Sequence, residues 1–146
     1  MEEIMRVLIT TTSFMDTPGP HHDLLKERGY ELVIARGPLP EKAMLELVGE
    51  VDGIICGDDD ITRSVIQKAL PRLRIISKYG IGLDRIDLAA ATELKVPVAF
   101  TPGVNDTTVA EHVFGLMISL ARNIPQENAL WNGPHREAGR QTSRCV

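Results

Sequence analysis

The sequence predicts an open α/β fold, a five-stranded parallel sheet with helices on both faces. Three features predict it. Short apolar runs alternate with helix-patterned segments as far as Phe100. The runs are apolar on both faces, which suits strands buried between two helical layers better than a one-sided antiparallel sheet. The repeated β-α order, finally, implies right-handed crossovers between parallel neighbours.

Residues 6–11 (RVLITT) read as the first strand, and residues 23–28 as a helix that Gly29 ends. Residues 31–35 (ELVIA) form the second strand, followed by a helix over 41–48 that Pro40 opens, since its fixed φ suits a first turn. Residues 53–56 (GIIC) are the third strand; the helix over 62–70 stops at Pro71, which cannot continue the backbone ladder. Residues 73–77 (LRIIS) form the fourth strand, 88–94 a short helix and 96–100 the fifth strand. The segments between strands and helices, 12–20 and 57–61 among them, read as loops.

From Thr107 the pattern changes. Val109, Val113, Leu116, Met117 and Leu120 recur at helical spacing as one apolar stripe, widened by Ala110, Phe114 and Ala121. Thr108 and Glu111 stand in capping-box spacing at its start. Pro125 ends or kinks this helix, and a second short one follows over 126–131. The stripe needs a second surface, either the sheet itself or, the reading we favour, a neighbouring domain or dimer partner. Residues 133–146 are polar and aperiodic and read as a disordered tail. The organisation expected is therefore 1–101, a sheet domain; 102–132, a helical segment; and 133–146, the tail.

Composition excludes several function classes. Of 146 residues, 43% are hydrophobic and 25% charged, ordinary for a globular protein. The net charge of −4 and the lack of a Lys/Arg run speak against nucleic acid and anionic membranes as partners. No apolar stretch approaches the roughly 20 residues of a bilayer span. The acidic N-terminus lacks the features of a signal peptide. Cys56 and Cys145 make neither a disulfide framework nor a metal set, so a cytoplasmic location is expected.

Ligands of such sheets bind beyond the carboxyl ends of the strands. Four loops reach that edge, at 12–20, 57–61, 78–83 and 101–107. In the third, Gly80 and Gly82 uncover main-chain N–H groups and permit positive φ, so the bend either grips a carboxylate or phosphate or is simply a tight turn. It is not a dinucleotide fingerprint, because Arg85 stands where the third glycine or alanine belongs. Thr107 and Thr108 at a helix N-terminus favour an anion or a polar cofactor edge, or merely cap it. The run Asp58-Asp59-Asp60 reads as a solvated turn with an N-cap at Asp60 or Thr62; a Mg²⁺ site or a phosphoacceptor receiver lacks the companion acids after the first strand and the lysine after the fifth. His21 and His22 adjoin in a Pro/Gly loop, and the four histidines make no metal spacing. Cys56 is a small core residue.

The Gly80-x-Gly82 loop with Asp84 and Asp87, the Ala-rich 88–94 segment, Pro97, Thr101-Pro102-Gly103 and Val109-Ala110-Glu111 occur together. In that combination the chain resembles the NAD-dependent D-2-hydroxyacid dehydrogenases, particularly their phosphoglycerate dehydrogenase-like branch, from about Arg6 to Trp131. The resemblance implies a flavodoxin-like substrate-binding domain plus a long helix from the start of a truncated Rossmann domain. It implies oxidation of the CH–OH group of a D-2-hydroxy acid with NAD as acceptor. By position, Gly80, Ile81 and Gly82 would hold the carboxylate of a small 2-hydroxy or 2-keto acid and Tyr79 would line its cleft. Thr108 and Val109 would lie near the nicotinamide end of the cofactor, and the 107–122 helix would form a homodimer interface. The family's histidine, glutamate and arginine, and its main dinucleotide-binding site, would fall beyond Val146. The chain is therefore expected to carry no catalytic residue and to be inactive alone, as a piece of an enzyme or as a silent binding module. One departure concerns the loop after the third strand, where Gly57-Asp58-Asp59-Asp60 replaces the serine or threonine many members use.

Overall fold

The computed structural model describes residues 4–132. They divide into two compact units at the Pro102–Gly103 junction. In the first unit, β1 (Arg6–Ile9), β2 (Glu31–Ile34), β3 (Gly53–Cys56), β4 (Ile75–Lys78) and β5 (Val98–Ala99) form one sheet in the order β2-β1-β3-β4-β5. All four pairings are parallel, with Val7 opposite Gly53 and Ile54 opposite Ile76. This is the doubly wound order expected of a flavodoxin-like sheet. The crossovers carry α1 (Thr12–Asp16) and α2 (Pro20–Glu27), α3 (Glu41–Leu47), α4 (Arg63–Ala69) and α5 (Leu88–Glu93).

Alternation along the strands sorts side chains between two layers. Leu8, Ile54, Cys56 and Ile76 meet Met44, Val65, Ile66, Ala69 and Ala90 in the larger core. Val7 and Ile9 face the other way, toward Phe14, with Leu25, Tyr30 and Ile55 around them. At the amino edge one carboxylate gathers the strand starts. Asp52 Oδ2 accepts from the Arg6 N–H at 2.8 Å and from the Arg72 guanidinium at 2.9 Å, while the Asp52 carbonyl accepts from Arg74 N–H at 2.8 Å. Burial works against its ionisation, but the Arg6 N–H and Arg72 outweigh that and hold its carboxyl below the ordinary value. Thr62 caps α4, accepting from Val65 N–H at 3.4 Å, and its hydroxyl donates to Glu41 at 2.7 Å, which ties α4 to α3.

Several expectations need correction. The 12–20 segment is not all loop: α1 occupies Thr12–Asp16, too short for a periodic signal to show. α2 opens at Pro20 rather than residue 23, with proline in its first turn, so His21 and His22 are helical. β5 spans only Val98–Ala99: Pro97 has no N–H for the ladder, and no described strand lies beyond β5. Gly29, at φ +66, follows α2 in the left-handed conformation that ends helices.

The second unit contains α6 (Asp106–Ala121) and α7 (Ile124–Asn132). The capping box anticipated at Thr108 and Glu111 does not form. Asn105 is the N-cap without a side-chain cap bond, which leaves Thr108 inside the first turn. Pro125 sits in the first turn of α7, and the break between the helices falls at Asn123, φ +53. Val109, Val113, Leu116, Met117 and Leu120 are all exposed. No described helix is long and apolar enough to cross a membrane. The 133–146 tail lies outside the described residues.

Candidate active site

The carboxyl edge of the sheet is organised by Asp59. It is fully buried, not solvated as the acidic run suggested. Its Oδ2 accepts from the Thr10 hydroxyl at 2.5 Å and from Gly57 N–H at 2.9 Å, and its Oδ1 accepts from Leu39 N–H at 2.7 Å. One side chain thus joins the turns after β1, β2 and β3. Burial of an acid is tolerable only with such bonds, because an unsatisfied buried polar group costs several kcal/mol. Gly37 lies against this hub: a Cβ there would stand 2.4 Å from Asp59 Oδ1 and 2.9 Å from the Thr10 carbonyl oxygen. Only glycine fits.

The other two acids of the run are paired. Lys78, the last residue of β4, is almost completely buried, and its Nζ donates to the Gly57 carbonyl and to Asp58 Oδ1, both at 2.6 Å. The hydrogen bond and charge of Lys78 hold the Asp58 carboxyl below its ordinary value, although Asp58 is 81% exposed. Arg85 donates to Asp60 at 2.9 Å. The one group of the run that solvent freely reaches is therefore Asp58, already committed to a lysine.

Around these groups lies a cleft of about 150 Å³, lined by the run Thr10 to Ser13, Gly37, Pro38, Gly57, Asp58, Asp59 and Tyr79. It is smaller than the roughly 300–1,000 Å³ of sites for drug-sized ligands. Tyr79 is half exposed at its side; its ring meets Phe14 edge-on at 5.8 Å, and Phe14 in turn touches His21 at 4.5 Å.

Immediately after Tyr79 the glycine bend is anchored on both sides. The Gly80 N–H turns back to the Lys78 carbonyl at 3.1 Å, at φ +140, a conformation that side chains disfavour. The Gly80 carbonyl accepts from both the N–H and the hydroxyl of Thr101, each at 3.1 Å. Downstream, Ile61 N–H donates to the Arg85 carbonyl and Asp87 N–H to the Ile61 carbonyl, both at 2.9 Å. Asp87 then caps α5 by accepting from Ala90 N–H at 2.8 Å. Between these anchors the amides from Ile81 to Arg85 have no hydrogen-bond partner among the described residues, and those of Ile81 and Gly82 follow directly on Gly80. α5 opens only at Leu88, well past Gly82, so the bend has no helix N-terminus behind it.

The expected site residues thus fall in two places. Tyr79, Gly80, Ile81 and Gly82 sit together on the carboxyl edge of the sheet. Thr108 and Val109 occupy the first turn of α6, in the other unit. Sequence reasoning placed the 12–20 and 101–107 loops on this edge but missed Thr10 and Thr11, the Gly37-Pro38 wall, the Asp59 hub and the bond by which Thr101 anchors Gly80. The available signals were a polar run ending a strand and a glycine before a proline. No group of three or more described His, Cys, Asp or Glu residues could hold a metal. Burial, first, and then Asp59 push the Cys56 thiol up to about 11, so it is inert.

Comparison with known proteins decides the family. The model of the D-isomer specific 2-hydroxyacid dehydrogenase catalytic domain matches residues 8–143. The chain belongs to this family. It is 38% identical over 112 residues to the D-3-phosphoglycerate dehydrogenase of Methanocaldococcus jannaschii, covering 75% of this chain and 21% of that enzyme. It is 34% identical over 106 residues to the glyoxylate reductase of Thermococcus litoralis, covering 70% of this chain and 32% of that enzyme. Among solved structures, the NAD+-bound 3-phosphoglycerate dehydrogenase of Entamoeba histolytica superimposes with a TM-score of 0.68 at 27% identity, over 80% of this chain and 39% of the other. The chain thus spans between a fifth and two fifths of the length of these relatives.

Proposed function

We propose that the chain supplies the substrate-gripping part of an NAD-dependent, phosphoglycerate dehydrogenase-like oxidoreductase acting on the CH–OH group of a D-2-hydroxy acid. One observation carries this reading: two unpartnered amides, Ile81 and Gly82, on a bend that neighbouring hydrogen bonds hold in place. Charge-assisted bonds from fixed main-chain donors are the ordinary means of holding a small carboxylate. Gly80 gives the bend its shape and Tyr79 walls the adjoining cleft. When bound, NAD accepts the hydride from the carbinol carbon. This chain's part is to hold the carboxylate and so fix that carbon. The bend itself does not fit a dinucleotide, because no helix N-terminus stands behind it to meet a pyrophosphate. The family resemblance assigns Thr108 and Val109 to the nicotinamide end.

No histidine lines the cleft among the described residues, and its two carboxylates are engaged, Asp58 by Lys78 and Asp59 by Thr10, Gly57 and Leu39, so the proton acceptor for the hydroxyl is assigned to neither of them. We expect the chain alone to turn over nothing. Incubation with NAD and a panel of D-2-hydroxy acids should yield no NADH above background. Titrating isotopically labelled chain with D-lactate should shift the Ile81 and Gly82 amide resonances, and Gly80→Ala should abolish that shift. Shifts confined to other residues would overturn the proposal. The exposed stripe of α6, with Val113, Leu116, Met117 and Leu120 uncovered, supports a second reading: this helix joins two copies, so that the chain acts as a dimerisation module. A monomer in light scattering would count against it.

A further inference from the structure

The relatives named above act, by name, on both phosphorylated and unphosphorylated acids, and the turn after β3 bears on which this chain takes. A phosphate group needs cations free to meet it. Among the described residues, the cations that follow the strands at this edge are each taken by an aspartate. Arg36 holds Asp16 through two bonds at 3.0 and 2.6 Å, Lys78 holds Asp58 at 2.6 Å, and Arg85 holds Asp60 at 2.9 Å. Lys78 does not itself line the cleft; Asp58 does, paired with the buried ammonium at 2.6 Å. The remaining lining is the run Thr10 to Ser13, two glycines, Pro38, Tyr79 and the Asp59 carboxylate, whose oxygens are taken by Thr10, Gly57 and Leu39. Such a wall donates and accepts hydrogen bonds but offers no positive charge. Its volume of about 150 Å³ also suits a compact ligand.

We infer that Asp58, locked in place by Lys78, is a specificity-determining residue: it makes the cleft select small 2-hydroxy acids with an uncharged, hydroxyl-bearing side chain and reject phosphorylated ones. The inference rests on the proposed grip of the substrate carboxylate by the Gly80–Gly82 bend. The selectivity is electrostatic. The exposed carboxylate repels a phosphate dianion but can accept a hydrogen bond from a neutral hydroxyl, and it withholds the buried Lys78 ammonium, which would favour the dianion.

The test is a pair of titrations of the labelled 146-residue chain, followed by the amide resonances of residues 57–82, with D-glycerate and with D-3-phosphoglycerate. D-Glycerate should bind about tenfold more tightly or better, the scale of one like-charge contact near a protein surface. Asp58→Asn and Asp58→Ala, which leave the Lys78 ammonium its bond to the Gly57 carbonyl, should reduce that preference about tenfold or reverse it, chiefly by strengthening binding of the phosphorylated acid. Equal or tighter binding of D-3-phosphoglycerate by the unaltered chain would overturn the inference and leave the carboxylate grip standing. An unchanged preference in both variants would do the same. If neither acid shifts Ile81 and Gly82, the grip and the inference fail together.

Discussion

Replacing Asp59 should loosen the whole carboxyl edge of the sheet, and the size of the effect follows from its three bonds. In Asp59→Ala the amides of Leu39 and Gly57 lose their acceptor, while the Thr10 hydroxyl keeps the Ile55 carbonyl at 3.4 Å. An orphaned buried donor costs about 1–3 kcal/mol. Leu39 and Gly57 are only partly buried, so the lower half of that range applies to each. Together they give a loss of about 2–4 kcal/mol, a large part of the ~5–15 kcal/mol that holds a domain together. Urea unfolding followed by circular dichroism measures it: the midpoint should fall by about 1–2 M at an unchanged slope, for a slope near 2 kcal/mol per M. Asp59→Asn should cost less, since its amide oxygen keeps one side of the network and its NH₂ group faces a donor on the other. Gly37→Ala injures the same place from outside, its Cβ falling 2.4 Å from Asp59 Oδ1. It should cost less in the Asp59→Ala background than in the unaltered chain, by about 1 kcal/mol of coupling. A midpoint unchanged in Asp59→Ala would refute the hub, and strict additivity with Gly37→Ala would refute the contact.

Three other outcomes are expected. Thr62→Ala removes both the cap of α4 and the bond to Glu41, and should cost about 1–2 kcal/mol in the same titration. Asp52 has a depressed pKa, so its contribution is complete above the unfolded value of 3.8 and is lost as pH falls through the lower folded value. The stability difference between the unaltered chain and Asp52→Asn should therefore shrink on acidification below that point; a difference independent of pH would contradict the assignment. Cys56, in a chain carrying Cys145→Ser, should resist a thiol reagent at neutral pH until urea unfolds the sheet, because burial keeps it protonated and out of reach.

Much of the fold was legible in the chain itself, and the reason is physical range. Strand and helix identity is written locally, so the short apolar run GIIC at Gly53–Cys56 and the 3.6-residue stripe of α6 announce themselves within a few residues or turns. Gly29 after α2, Pro71 after α4 and the glycine bend after β4 are likewise local, since φ is chosen by the residue that occupies the position. α1 escaped notice because five residues hold too little of a period.

The sequence by itself thus determined the order of the strands and of most helices, the glycine bend after β4 and the family likeness that went with it. Only the tertiary structure decided what the acidic run does. Asp58, Asp59 and Asp60 are chemically identical neighbours, yet one meets a lysine 20 residues away, one disappears beneath Thr10, 49 residues away, and one pairs with an arginine 25 residues away. Burial and partner choice depend on which distant turns the parallel sheet brings to one edge, and no local pattern of residues encodes that convergence.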